Sequence, residues 1–244
     1  MPTWDEFAWA AFLYGGIGGD SDYQAIRNPP DFLDGLRSNP TDTPIDEIRE
    51  RLIKGFLNHW HCHVTNNEHS ADEIRARLME LRAHLQALTD FSVETVNFGQ
   101  LINVNGTPMS VEQCIEHCYA RMAFPQYNLA TVAASKVLHI LRPSLFVMWD
   151  GPILSHYRNI DRAVSNTPAG YSAYLHHMKD MATQLTNSFH EAALNPPADA
   201  NDTVAAYLSR HMLYNPPKTM AKYLDEFNWV RFTRHTTVPR PWHP

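Results

Sequence analysis

Asn128 to Leu154 reads NLATVAASKVLHILRPSLFVMWDGPIL, and this stretch decides how the rest of the chain is organised. Residues 129–142 form a small-residue helix in which Ala130, Ala133, Ala134 and Ser135 permit close approach by another backbone or a ligand. Pro143 ends it, because proline has no N–H to continue the ladder and disfavours helix in the residue before it. An apolar run, Leu145 to Met148, leads into Trp149-Asp150-Gly151-Pro152. An aspartate followed by glycine and proline predicts an N-cap with the first helical positions behind it. The stretch is therefore helix, short apolar connection, helix.

Helical periodicity dominates on both sides, and no segment carries a strand alternation of useful length. Trp4, Phe7, Ala8, Ala11 and Phe12 share a stripe that predicts a short opening helix, closed by a hinge at Gly15-Gly16-Ile17-Gly18-Gly19. Residues 20–42 read as a surface connection with one helical turn around Phe32 to Leu36. Thr43-Pro44, with Asp46 and Glu47 in the first turn, predicts a capped helix whose face is Ile45, Ile48, Leu52, Ile53, Phe56, Leu57 and Trp60. Ser70 to Glu73 and Ser110 to Gln113 are capping boxes for two further helices, with a turn at Gly106 and Pro108 between them. Helices are expected at about 169–193, 202–213 and 217–228, broken at Asn195-Pro-Pro and Asn215-Pro-Pro. The expectation is an all-α globular multi-helix domain over 1–244, divisible into lobes at 1–125 and 126–244.

The 244 residues carry 44% apolar side chains and a formal charge of −6, which excludes a disordered chain and one that coats nucleic acid by charge alone. Ten acids against three bases fall in residues 1–50, so the remainder is close to neutral and the acidic region is expected to face away from any phosphates. From Lys218 onward, five bases including Arg231 and Arg234 alternate with Trp229, Phe232 and Trp242, a composition that can grip a nucleic-acid strand. Three cysteines, an acidic N-terminus and the lack of a long apolar run predict a cytoplasmic protein without a membrane span.

Two side chains in the deciding stretch can carry chemistry. Asp150 follows an apolar run, where an acid at the edge of the core can both cap a helix and act on a substrate. Lys136 sits one position off the apolar stripe among small neighbours, either as a partly dry nucleophile or as a solvated lysine. His59, His61 and His63 alternate, and Cys114, His117 and Cys118 share a helical face. Without a Cys-x-x-Cys pair or a His-Glu-x-x-His, core packing is the expected role, and no metal is assigned.

Ser135-Lys136, then Pro143, then Val147-Met-Trp-Asp150 resembles the order found in helix-hairpin-helix DNA glycosylases. Phe56-Leu-Asn-x-Trp60 with Ser135-Lys-x-Leu-His and Trp149-Asp150 also resembles a set of uncharacterised bacterial proteins. The glycosylase likeness covers about 30 residues, and the stretch Tyr127 to Ala134 lacks the family's hairpin glycines, leaving a helix N-terminus near Thr131 to hold a phosphate. The resemblance implies excision of a damaged or modified base flipped from duplex DNA, in host repair or against invading DNA. Asp150 would be the catalytic carboxylate, and Lys136 would form a Schiff base with strand nicking or bind phosphate. Asn58, Trp60, Tyr127, His139 and Trp149 would form the base pocket, and Thr131, Ser135, Arg142, Arg231 and Arg234 would face DNA. The expected protein is a monomer with no cofactor. A non-enzymatic nucleic-acid or protein-binding helical module, or a small-molecule enzyme using the Asp150 cleft, are the competing expectations.

Overall fold

A computed structural model describes residues 2–17, 20–123, 130–192, 203–214 and 217–237. Among them, Thr3 and Glu6 close a capping box at the start of α1 (Trp4–Gly16). Two short helices follow, α2 (Ser21–Arg27) and α3 (Asp31–Ser38). After a 3₁₀ turn at Pro40–Asp42 comes α4 (Ile45–Glu47), which runs on as a π-helix from Ile48 to Asn58. The expected Thr43 cap does not form: Thr43 ends the 3₁₀ turn and its hydroxyl has no partner among the described residues. The buried side chains of the π-helix are Ile48, Leu52, Ile53, Phe56 and Leu57. They recur every four residues and so share one face of the helix.

Helix α5 (Glu68–Ala87) begins earlier than Ser70. Asn67 is its cap, accepting from the Ser70 N–H at 2.8 Å, so the polar side chain nearest the true first turn wins. The turn at Gly106 is in fact a β-hairpin, β1 (Leu101–Val104) with β2 (Thr107–Ser110), paired antiparallel. Asn105 and Gly106 both take positive φ, 50° and 84°, as a two-residue hairpin turn requires. Ser110 and Gln113 form the anticipated box on α6 (Val111–Met122). The remaining helices are α7 (Ala130–Leu141), α8 (Gly151–Ile160), α9 (Pro168–Ala192), α10 (Val204–His211) and α11 (Met220–Asn228), the last continued by a π turn at Trp229–Thr233. The architecture is mostly helical, and no helix among the described residues is long and apolar enough to cross a membrane.

The expected hinge is partly helix, since α1 runs through Gly15 and Gly16; Gly18 and Gly19 lie outside the described residues. A Cβ on Gly15 would meet the Tyr214 hydroxyl, so a larger residue here requires the Tyr214 side chain to shift. The breaks at Asn195-Pro-Pro and at Asn215-Pro216 also lie outside the described residues.

Two helices are buried on every side. In α7 every residue from Ala133 to Leu141 is buried, as is Arg142 beyond it, and in α11 so is every residue from Met220 to Asn228. Helix α7 packs on α6 and α3, and α11 packs on α1, α9 and α10. Their polar side chains must therefore find partners inside the protein.

Two of those on α7, with two tyrosines of α9, hold the strap from Pro143 to Trp149, which is neither helix nor strand and is buried from Leu145 onward. His139 Nδ1 lies 2.6 Å from the Phe146 carbonyl, the Tyr171 hydroxyl donates to the Val147 carbonyl at 2.9 Å, and the Tyr174 hydroxyl donates to that of Met148 at 3.0 Å. The Trp149 N–H donates to Ser135 Oγ at 3.4 Å, and the Val93 N–H donates to the Ser144 carbonyl at 2.8 Å. Main-chain groups that would otherwise be orphaned inside the core are taken up by side chains.

His139 makes this strap pH-sensitive. Burial, only partly offset by its bond to Phe146, pushes its pKa down to about 3, and Tyr23 occupies Nε2 at 3.1 Å. As pH falls from 6.5 the unfolded chain takes up a proton that the folded chain refuses, so stability is lost with acidification. The loss between pH 6.5 and 4 is up to about 3 kcal/mol. Urea midpoints followed across that range should fall less steeply in His139→Gln than in the parent; equal slopes would contradict this assignment.

Candidate functional site

The strap delivers Asp150 to the start of α8, where its Oδ1 accepts from the Ile153 N–H at 2.9 Å. The Thr233 hydroxyl donates to Oδ2 at 2.6 Å, tying the C-terminal π turn to the same carboxylate. Asp150 is half-buried and faces a cavity of about 490 Å³.

Lys136, on α7, faces the same cavity. Its Nζ donates to the Trp60 carbonyl at 2.7 Å and lies 5.4 Å from the centre of the Trp60 ring. Cys62 sits beside it, its thiol pushed upward by burial with the Lys136 charge opposing. Trp60, Trp149, Trp229 and Tyr14 supply aromatic walls. Trp149 is a rigid one: Tyr171 and Tyr174 pack against it at 5.0 and 5.2 Å between ring centres. Asp22 and His59, paired at 3.1 Å, stand at the edge.

Asp150, Lys136, Trp60 and Trp149 thus line one cavity. The other candidates go elsewhere. Asn58 closes the loop after the π-helix, donating to the Val64 carbonyl at 2.8 Å and accepting from its N–H at 2.7 Å. His139 is not a pocket residue but a core histidine with both ring nitrogens engaged by the strap and Tyr23. Ser135 is fully buried under the strap, and Arg142, also buried, donates to the Leu85 carbonyl at 2.6 Å. Neither faces solvent, so neither can meet DNA. Thr131 uses its carbonyl to accept from the Tyr119 hydroxyl and the Trp149 indole. Tyr127 lies outside the described residues. Arg231 and Arg234 flank Trp229 and Thr233 of the cavity wall, and Arg234 lies 5.3 Å over the Trp229 ring. Cys114 and Cys118 are buried in the core, and His84 and His117 stack at 4.2 Å. Among the described residues, no group of three or more His, Cys, Asp or Glu is placed to hold a metal ion.

Sequence reasoning missed the cavity's third carboxylate, Asp225, and read Lys218 and Lys222 as part of a basic tail. Both lysines are buried. Lys222 Nζ donates to Asp225 Oδ2 at 2.9 Å and lies 3.5 Å from Glu226 Oε1; Lys218 Nζ donates to Glu226 Oε1 at 2.7 Å and also to Asp20. The acidic N-terminal region therefore faces inward in part, through Asp20 and Asp22. Burial raises the pKa of Glu226 to about 7, against the pull of both lysines. Burial would lower Lys222, but Asp225, Tyr14 and Glu226 outweigh it and hold it well above the ordinary lysine value. The available signal was the spacing of Lys218, Lys222 and Glu226, each four residues from the next, with Asp225 beside them.

Set against protein-family models, curated proteins and solved structures, the chain matches none.

Removing the shared ammonium should be costly. Lys222→Met leaves Asp225 and Glu226 buried without it and is expected to lose about 3–5 kcal/mol in urea unfolding. Arg121→Ala, which breaks an exposed pair with Glu80, should lose less than about 1 kcal/mol. Near-equal losses would show that Lys222 is not the partner on which the two buried carboxylates depend.

Proposed function

We propose that this chain is a DNA N-glycosylase that takes a damaged or modified base, flipped from a duplex, into the cavity and hydrolyses its N-glycosidic bond. The observation that carries the reading is the convergence of Asp150 and Lys136 on one aromatic-walled cavity of about 490 Å³. That volume admits a flipped nucleotide, and indole faces suit a base removed from its stack. Trp60 and Trp229 are the half-buried aromatics and offer their rings to it; Trp149 forms the back.

Bond cleavage leaves positive charge on the sugar. Asp150 is a fixed anion beside that charge, oriented by its two hydrogen bonds before substrate arrives. Lys136 is already committed as a donor to the Trp60 carbonyl, which favours a role in holding substrate oxygen over attack on the sugar carbon. Arg231 and Arg234, next in sequence to the cavity-lining Trp229 and Thr233, are the cations for the DNA backbone.

The test is direct. The protein is incubated with duplexes carrying oxidised, alkylated, deaminated or hydroxymethylated bases, and abasic sites are revealed with alkali. Cleavage of at least one duplex is expected, with a single-turnover rate about 10²-fold lower or worse in Asp150→Asn. Borohydride should trap no covalent adduct. No cleavage across the panel, or an Asp150→Asn enzyme as fast as the parent, would overturn the reading; trapping by the parent and not by Lys136→Ala would replace hydrolysis with lyase chemistry.

A further inference from the structure

Asp225 is buried on α11, yet it lines the same cavity as Asp150. Its described hydrogen bond runs from Lys222 to Oδ2, so one carboxylate oxygen is anchored and Oδ1 has no partner among the described residues. Asp150 differs: each of its oxygens already accepts a hydrogen bond. Two carboxylates that share a cavity but differ this way are suited to different tasks. The anchored, twice-bonded one is a fixed charge, and the one with a bare oxygen can take a proton.

We propose that Asp225 is the general base of the site, taking the proton of the attacking water while Asp150 stabilises the sugar cation. This rests on the glycosylase reading above and assigns a second residue to it. The C1′–N bond breaks with its electron pair leaving on the base, which takes a proton from solvent. The water oxygen bonds to C1′ and its proton passes to Asp225 Oδ1, which returns it to solvent.

The surroundings of Asp225 agree with this task. Burial raises its pKa, with Lys222 and Lys136 opposing and Asp150 adding to the rise. From neighbouring elements it faces the charged Lys136 and Asp150 and the tyrosines Tyr14, Tyr23, Tyr171 and Tyr174. Burial pushes all four phenols upward, so they keep their protons across a neutral assay range. On its own helix it adjoins Lys222 and Glu226, and Glu226 titrates at about 7. Glu226 must therefore be separated from Asp225 in any pH experiment.

Asp225→Asn should fold. In the parent, Asp20, Asp225 and Glu226 set three carboxylates against the two ammonium groups of Lys218 and Lys222, so the amide leaves a balanced set. The experiment is the single-turnover pH–rate profile on the duplex that the parent cleaves best. The parent rate is expected to fall on the acid side as Asp225 gains its proton. Asp225→Asn should be about 10²-fold slower with that acid limb abolished, while Glu226→Gln retains it. A limb kept by Asp225→Asn, or lost only in Glu226→Gln, would overturn the proposal and leave the glycosylase reading standing. Should Asp225→Asn not fold, the limb of Asp225→Glu decides: a displaced midpoint supports the assignment and an unmoved one overturns it. A parent that cleaves no duplex overturns both.

Discussion

The constraint on which the rest depends is that Pro143–Trp149 runs through the core without regular secondary structure. Its peptide groups cannot pair with one another, and an unmet buried carbonyl or N–H costs about 1–3 kcal/mol. The protein answers with side chains drawn from two helices: His139 and Ser135 from α7, Tyr171 and Tyr174 from α9. This explains why a helix as apolar as α7 contains a histidine and a serine on its buried surface. It also explains why Asp150 is well placed, since the strap's far end is held on the Trp149 N–H and on its indole, both bonded to α7.

The second organising element is the buried charge cluster of α11 and of Lys218 just before it. Lys218 and Lys222 are each shared between carboxylates, and these link α11 to Asp20 at the start of α2. A buried ion network of this kind is a weak source of net stability, because desolvation offsets most of the attraction. Its consequence here is positional. It sets Asp225 on the wall of the cavity that the strap-delivered Asp150 also lines, so the two devices that satisfy buried polarity in this fold also build its cleft.

What could be read from sequence follows from how local the cause was. Pro143 and Asp150-Gly151-Pro152 act within a few residues, and the helix, strap and helix they imply are present. The Ser110–Gln113 box acts over three residues and is also present. The hairpin was legible only through Asn105-Gly106, since strands of four residues are too short to show alternation. The π-helix at 48–58 kept an apolar face that an α-helix could equally have carried. Of the site, Asp150, Lys136, Trp60 and Trp149 were legible because the deciding stretch and the segment before Cys62 hold them. His139, Ser135 and Arg142 were misassigned because polar residues on an apolar helix can serve a ligand or a distant carbonyl with the same spacing. Asp225 was hidden by its neighbours: Lys218 and Lys222 read as part of a basic tail, and only the packing of α1, α9 and α10 on α11 turns these charges inward.

Central to this account is the claim that Asp150 and the aromatic cavity receive one flipped nucleotide. The most direct measurement is a structure of the protein with a duplex bearing a pyrrolidine abasic analogue, whose ring ammonium stands in for the sugar cation. The account predicts that nitrogen within about 3.5 Å of an Asp150 carboxylate oxygen, with the analogue extruded from the duplex at the mouth of the cavity. A duplex lying on another face, or an unoccupied cavity with the analogue still stacked in the helix, would contradict it.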